Sequence, residues 1–88
     1  MTASAVWDMT TEQIIAASEA AEAACKDIEP EATARGKQLL DKSLTEQQRK
    51  DLPNIRKTEV YKQTFREQSE WFASLKKEEL HNACQHAW

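Results

Sequence analysis

The chain has one glycine and two prolines among 88 residues. All-β chains depend on many such residues at their turns, so this scarcity argues against a sandwich or barrel. A single glycine also excludes the glycine-rich phosphate cradles of P-loop and dinucleotide-binding enzymes, which need several. Cysteine is equally scarce. Cys25 and Cys84 alone make no disulfide framework, and the opening "MTASAVWDMT" has neither the basic start nor the apolar run of a secretory signal. The expectation is a cytoplasmic protein with both thiols free. No uncharged apolar run approaches the ~18 residues of a membrane span. Large apolar residues are few as well: 20 of Ile, Leu, Val, Met, Phe, Trp and Tyr together. A domain this small has a marginal core, which favours an oligomer or a bound partner.

What the chain does have is helix signals. "MTTEQI" reads as a capping box, with Thr10 at the N-cap and Gln13 three positions on, and Met9 placed to staple Ile14. "LTEQQR" repeats the box with Thr45 and Gln48, and Ser74 in "SLKKEEL" is a weaker cap. From these starts the sequence predicts an all-α bundle of four to five helices in one domain, residues 1–88, with residues 1–9 loosely ordered. A bundle this small is expected to be completed by homodimerisation.

The first helix is predicted over 11–28. It is unusual in carrying six alanines between residues 10 and 30 against three large apolar side chains. Ile14, Ala17, Ala21, Ala24, Cys25 and Ile28 fall on one face, Ala16, Ala20 and Ala23 beside it, and Glu12, Glu19, Glu22 and Lys26 opposite. Small side chains let a second backbone come close, so this helix is built for intimate packing. A second helix, 31 to about 42, contains Gly36, which costs about 1 kcal/mol relative to alanine. A close crossing with the alanine face would explain it. A short helix is expected to stop before Pro53.

The next helix, 54–74, has the clearest amphipathic pattern. Tyr61, Phe65, Trp71 and Phe72 lie on its apolar side and are expected in the core or an intersubunit seam, the alternative being an exposed binding platform. A last helix, 76–87, carries Leu80, Ala83, Cys84, Ala87 and Trp88 as one stripe.

Chemistry-bearing residues do not converge. His81, Cys84 and His86 crowd the C-terminal helix, but on a helical wheel they point in divergent directions, so no metal site is predicted and no cofactor is implied. Cys84 on an apolar stripe is not an activated nucleophile. No pair of carboxylates stands apart in an apolar setting, as acid–base catalysis requires. The expectation is a protein that is not an enzyme.

Charge is uneven. Residues 1–34 carry a net −6, residues 35–66 a net +5 and residues 67–88 a net −2. The basic middle third supplies the candidate partner-binding residues Arg49, Lys50, Arg56, Lys57, Lys62 and Arg66. Glu46, Asp51, Glu59, Glu67 and Glu70 interrupt them, which weakens a phosphate track. A protein surface can match each sign locally. The acidic first third is one such surface, in this chain or a twin, and an outside protein is another. Reversing Arg56 and Lys57 is expected to leave the fold intact and weaken association. The role predicted is a protein-binding regulator, adaptor or inhibitor, of the kind phages and mobile elements encode against host machinery. The alternative is a small helical DNA- or RNA-binding regulator.

Overall fold

The computed structural model describes residues 9–88, and the expected loose segment 1–9 falls almost wholly outside them. Five helices and no strand occur among the described residues: α1 Thr11–Cys25, α2 Pro30–Ser43, α3 Glu46–Ile55, α4 Glu59–Ser74 and α5 Lys77–Gln85. The chain is all-α, as its composition requires.

Capping explains where most helices begin. Thr10 Oγ1 accepts from the Gln13 N–H at 3.2 Å, and the Thr10 N–H donates to Gln13 Oε1 at 2.9 Å. Thr45 and Gln48 form the same reciprocal pair at α3. Each box satisfies two of the donors a helix start leaves free. Pro30 stands at the first position of α2, where its missing N–H is no loss. The expected cap at Ser74 is not used: its hydroxyl donates to the Trp71 carbonyl, and Glu79 reaches back to the Lys76 N–H to start α5.

Two boundaries differ from the sequence reading. α1 ends at Cys25 rather than 28, because the N–H groups of Ile28 and Glu29 both turn back to the Cys25 carbonyl. α3 runs through Pro53 to Ile55 instead of stopping before it, so α4 begins only at Glu59. Pro53 lies in the last turn of a short helix, where it forfeits one intrahelical bond and leaves the rest intact. Thr58 then opens α4, its hydroxyl accepting from the Tyr61 N–H.

α1 is the centre of the bundle, packing most extensively on α4, then on α2, with α5 closing against both α1 and α2. Ile15 and Ala16 meet Tyr61, Leu44 and Ile55 in one core cluster, while Ala21 and Cys25 meet Phe72 and Cys84 in a second. Ile15 thus lies level with Tyr61, and Cys25 level with Phe72, so α1 and α4 run in the same direction. The alanines act here: Ala16, Ala20 and Ala21 are buried and let the α4 backbone approach. The buried face is rotated from the one expected, with Ile15 fully enclosed and Ile14 exposed.

Gly36 is buried, but its neighbour is Trp88 rather than the α1 alanines. A β-carbon at Gly36 would come within 2.2 Å of the Trp88 indole. The glycine therefore gives the C-terminal tryptophan a flat seat on α2. Trp88 joins the second core cluster, so this end of the chain is docked.

The expectation of free thiols is overturned. Cys25 and Cys84 form a disulfide, with Cα atoms 5.5 Å apart and both residues fully buried. Each cysteine lies on the inner side of its helix, and the fold brings the end of α1 against α5.

Candidate protein-binding surface

The basic middle third does not form one surface. Arg56 is committed within the chain: its Nε donates to Glu19 Oε1 at 3.0 Å, and a second guanidinium nitrogen pairs with Oε2. The Tyr61 hydroxyl donates to the same Glu19 oxygen. Glu19, expected on the outer side of α1, is partly buried here and ties α1 to the α3–α4 junction. The acidic first third is thus a surface that the middle third meets within the chain, at one point. Burial works against the Glu19 charge, but the hydrogen bonds from Arg56 and Tyr61 outweigh it and hold the carboxyl below its ordinary value. Bonding to Glu19 raises Arg56. Burial, reinforced by the bond to Glu19, pushes the Tyr61 phenol up to about 12.

These shifts make a prediction with a direct readout, because Tyr61 is the only tyrosine in the chain. A group whose folded pKa is raised stabilises the fold fully below its unfolded value and loses that contribution as pH rises through its folded value. The window runs from about 10, the ordinary tyrosine value, to about 12. The absorbance change of phenol ionisation near 295 nm is expected to have its midpoint near 12. A midpoint near 10, in a protein still helical by circular dichroism, would show that the phenol is not held by Glu19.

The other cations divide. An Arg49 nitrogen donates to the carbonyls of Asp41 and Leu44 at 2.8 and 3.0 Å, closing the end of α2. Lys50 pairs loosely with Glu46 on the exposed side of α3. Lys57, Lys62 and Arg66 are exposed, without an ion pair among the described residues. On α4, Lys62 and Arg66 share a stripe with Glu59 and Glu70, so even this outer face is of mixed sign. Reversing Arg56 would set a carboxylate against Glu19, so this change is expected to cost stability as well as association.

The four aromatic residues of α4 also divide. Tyr61 and Phe72 are buried, and Phe65 stacks on Tyr61 at the edge of the first cluster. Trp71 is 50 % exposed, so it lies outside the core of the single chain. It lines an open groove between α1 and α4 with Ala17, Ser18, Ala21 and Gln68, and Ala83, His86 and Ala87 close one end. Ile14 and Val60 are exposed too. Ile14 lies one turn before Ala17 on α1, and Val60 three turns before Trp71 on α4. Because the two helices run in parallel, both mark the other end of the same flank. The sequence placed these residues on apolar faces. It could not show that α1, narrow with alanine, covers only part of the α4 face.

Near the C-terminus, His81 Nδ1 lies 3.1 Å from Glu29 Oε2, and the Cys84 sulfur is bonded to Cys25 and offers no thiolate. No group of three metal-ligating side chains occurs among the described residues. The chain matches no family model, no curated protein and no solved structure.

Proposed function

We propose that this protein is a non-catalytic protein-binding regulator, adaptor or inhibitor, and that the α1–α4 groove is its contact surface. The observation that carries the reading is Trp71: a half-exposed tryptophan in a groove between α1 and α4, the same two helices that expose Ile14 and Val60 towards their other end. Tryptophan is among the residues that dominate interface energies. Small soluble domains seldom leave several large apolar side chains along one flank unless something covers them. A second copy of the chain fits the surface as well as an outside protein does, and a twin would supply the homodimer expected of so small a core. The nucleic-acid reading has less support, since two of its six cations already hydrogen-bond within the chain and Lys62 and Arg66 alternate with carboxylates.

The expected cytoplasmic setting rests on free thiols together with an opening unlike a secretory signal, and the Cys25–Cys84 bond removes the first of these premises. The bond supports an oxidising compartment instead. No helix of the described residues is long and apolar enough to cross a membrane.

The test compares three chains: the parent, an Ile14→Lys/Val60→Lys variant, and a Lys57→Glu/Lys62→Glu/Arg66→Glu variant. Each is assayed for self-association by light scattering and for retained proteins from lysate with and without nuclease treatment. Association is expected to fail in the first variant and persist in the second. The reverse pattern, with nuclease-sensitive retention by the parent, would favour the nucleic-acid reading.

A further inference from the structure

A second surface, separate from the Trp71 groove, has a different chemistry. Arg35, Gln38, Leu39 and Lys42 recur on α2 at the spacing that places them on one face. With Gln85 and Trp88 they line a notch between α2 and the C-terminal segment. Leu39 is 54 % exposed, the most exposed of the large apolar side chains of the described residues. Trp88 Nε1 is buried against Gly36 without a hydrogen-bond partner. Arg35 and Lys42 are exposed, and neither has an ion pair among the described residues.

Among the described residues no carboxylate side chain lines this notch, although the chain as a whole carries a net charge of −3. Asp41 turns instead into the cleft formed with α1 and α3. The nearest acid on the same side of α2 is Glu31, one turn before Arg35 and outside the notch. Two free cations bracketing an apolar centre form a complementary pattern, and complementary charge sets specificity and on-rate.

We propose that this notch docks an acidic amphipathic helix of another protein. Arg35 and Lys42 are seven residues apart, about 10 Å along the helix axis. The matching segment therefore has carboxylates at i and i+7 and a leucine-sized residue between them. It seats its apolar residue on Leu39 and Trp88 and its carboxylates on Arg35 and Lys42. A second copy of this chain does not fit. α1 has Glu12 and Glu19 at the right spacing, but Glu19 is held by Arg56 and Tyr61, and Ile15 between them is fully buried. The occupant is a different protein. Together with the Trp71 groove, the notch gives the chain two contact surfaces on either side of α5, the arrangement of an adaptor.

The experiment uses the full oxidised chain, labelled with ¹⁵N, and a synthetic helical peptide with Glu at i and i+7 and Leu at i+3 and i+4. The control peptide has Lys in place of both Glu residues. The acidic peptide is expected to give saturable shifts at the Trp88 indole N–H and the Leu39 amide, and the control none. The Arg35→Glu/Lys42→Glu variant should bind about tenfold or more weakly, with an unchanged melt, since both side chains are exposed. Leu39→Ser offers a second route that leaves charge alone and should weaken binding likewise. Equal binding of the two peptides, shifts centred on Trp71 instead, no saturable shift at millimolar peptide, or full affinity in both variants would each overturn the proposal.

Discussion

Replacing Cys25 and Cys84 together with alanine is expected to lower the free energy of unfolding by about 4 kcal/mol, the loop-closure value for a bond joining residues 59 apart. For a domain of this size that corresponds to a fall in Tm of roughly 15–30 °C. The effect is large because the core is poor in bulk. Its largest fully buried side chains are Ile15, Cys25 and Cys84, so two of those three belong to the bond itself. A chain of marginal stability, on the order of 5–15 kcal/mol in total, loses a large share with it. The bond also holds α5, which supplies Ala83 to the groove and leads into His86 and Ala87 beside it and Trp88 in the notch. Opening it should therefore disturb both surfaces before the bundle melts. Thermal melts with and without a dithiol reductant test the claim. The parent should shift down when mass spectrometry shows the bond opened, and the double variant should ignore the reductant. A parent melt unmoved by complete reduction would show that helix packing alone sustains the fold.

The same pair of cysteines marks where sequence reading reached its limit. Both residues are legible as members of apolar stripes, and in hindsight that was the signal. Two cysteines far apart in sequence carry no spacing pattern, so nothing local distinguishes a buried pair from two buried thiols. Helix starts were legible for the opposite reason. Thr10 with Gln13, and Thr45 with Gln48, satisfy backbone donors within four residues, so the information is local. Gly36 shows an intermediate case. A close approach could be inferred from a glycine inside a helix, but the approaching group, Trp88, lies 52 residues further on and only the fold selects it. Glu19 falls on the outer side of α1 by helical spacing. Its partners Arg56 and Tyr61 come from other elements, and once they are present a carboxylate can be partly buried at little cost. The candidate site was the least legible part, because exposure along a helix flank depends on how much of that flank the neighbouring helix covers.

Trp71 and Phe72 put that last point to a quantitative test, since they are adjacent in sequence and opposite in fate. Phe72 is 6 % exposed and packs with Ala21, Cys25 and Cys84, while Trp71 is half in solvent. Phe72→Ala removes a buried ring whose space the alanine-rich α1 cannot fill by moving side chains, because those side chains are already minimal. A loss of about 3–5 kcal/mol is expected. Trp71→Ala removes a ring whose buried contribution is chiefly its edge-to-face contact with Phe72, at 5.0 Å between centroids, and about 1 kcal/mol is expected. Association should respond in the reverse order. Trp71→Ala, still folded, should lose contact with whatever covers the α1–α4 groove. Phe72→Ala, assayed at a temperature where it remains folded, should lose less of it, since Phe72 lines the groove from a buried position and only Trp71 is half exposed. Urea melts combined with the same association assay separate the two. Equal destabilisation by both substitutions would make Trp71 a core residue after all. A Trp71→Ala chain that is stable and associates normally would leave the groove without a function. Only the combination of a stable chain and lost association supports a surface that α1 leaves uncovered for a partner.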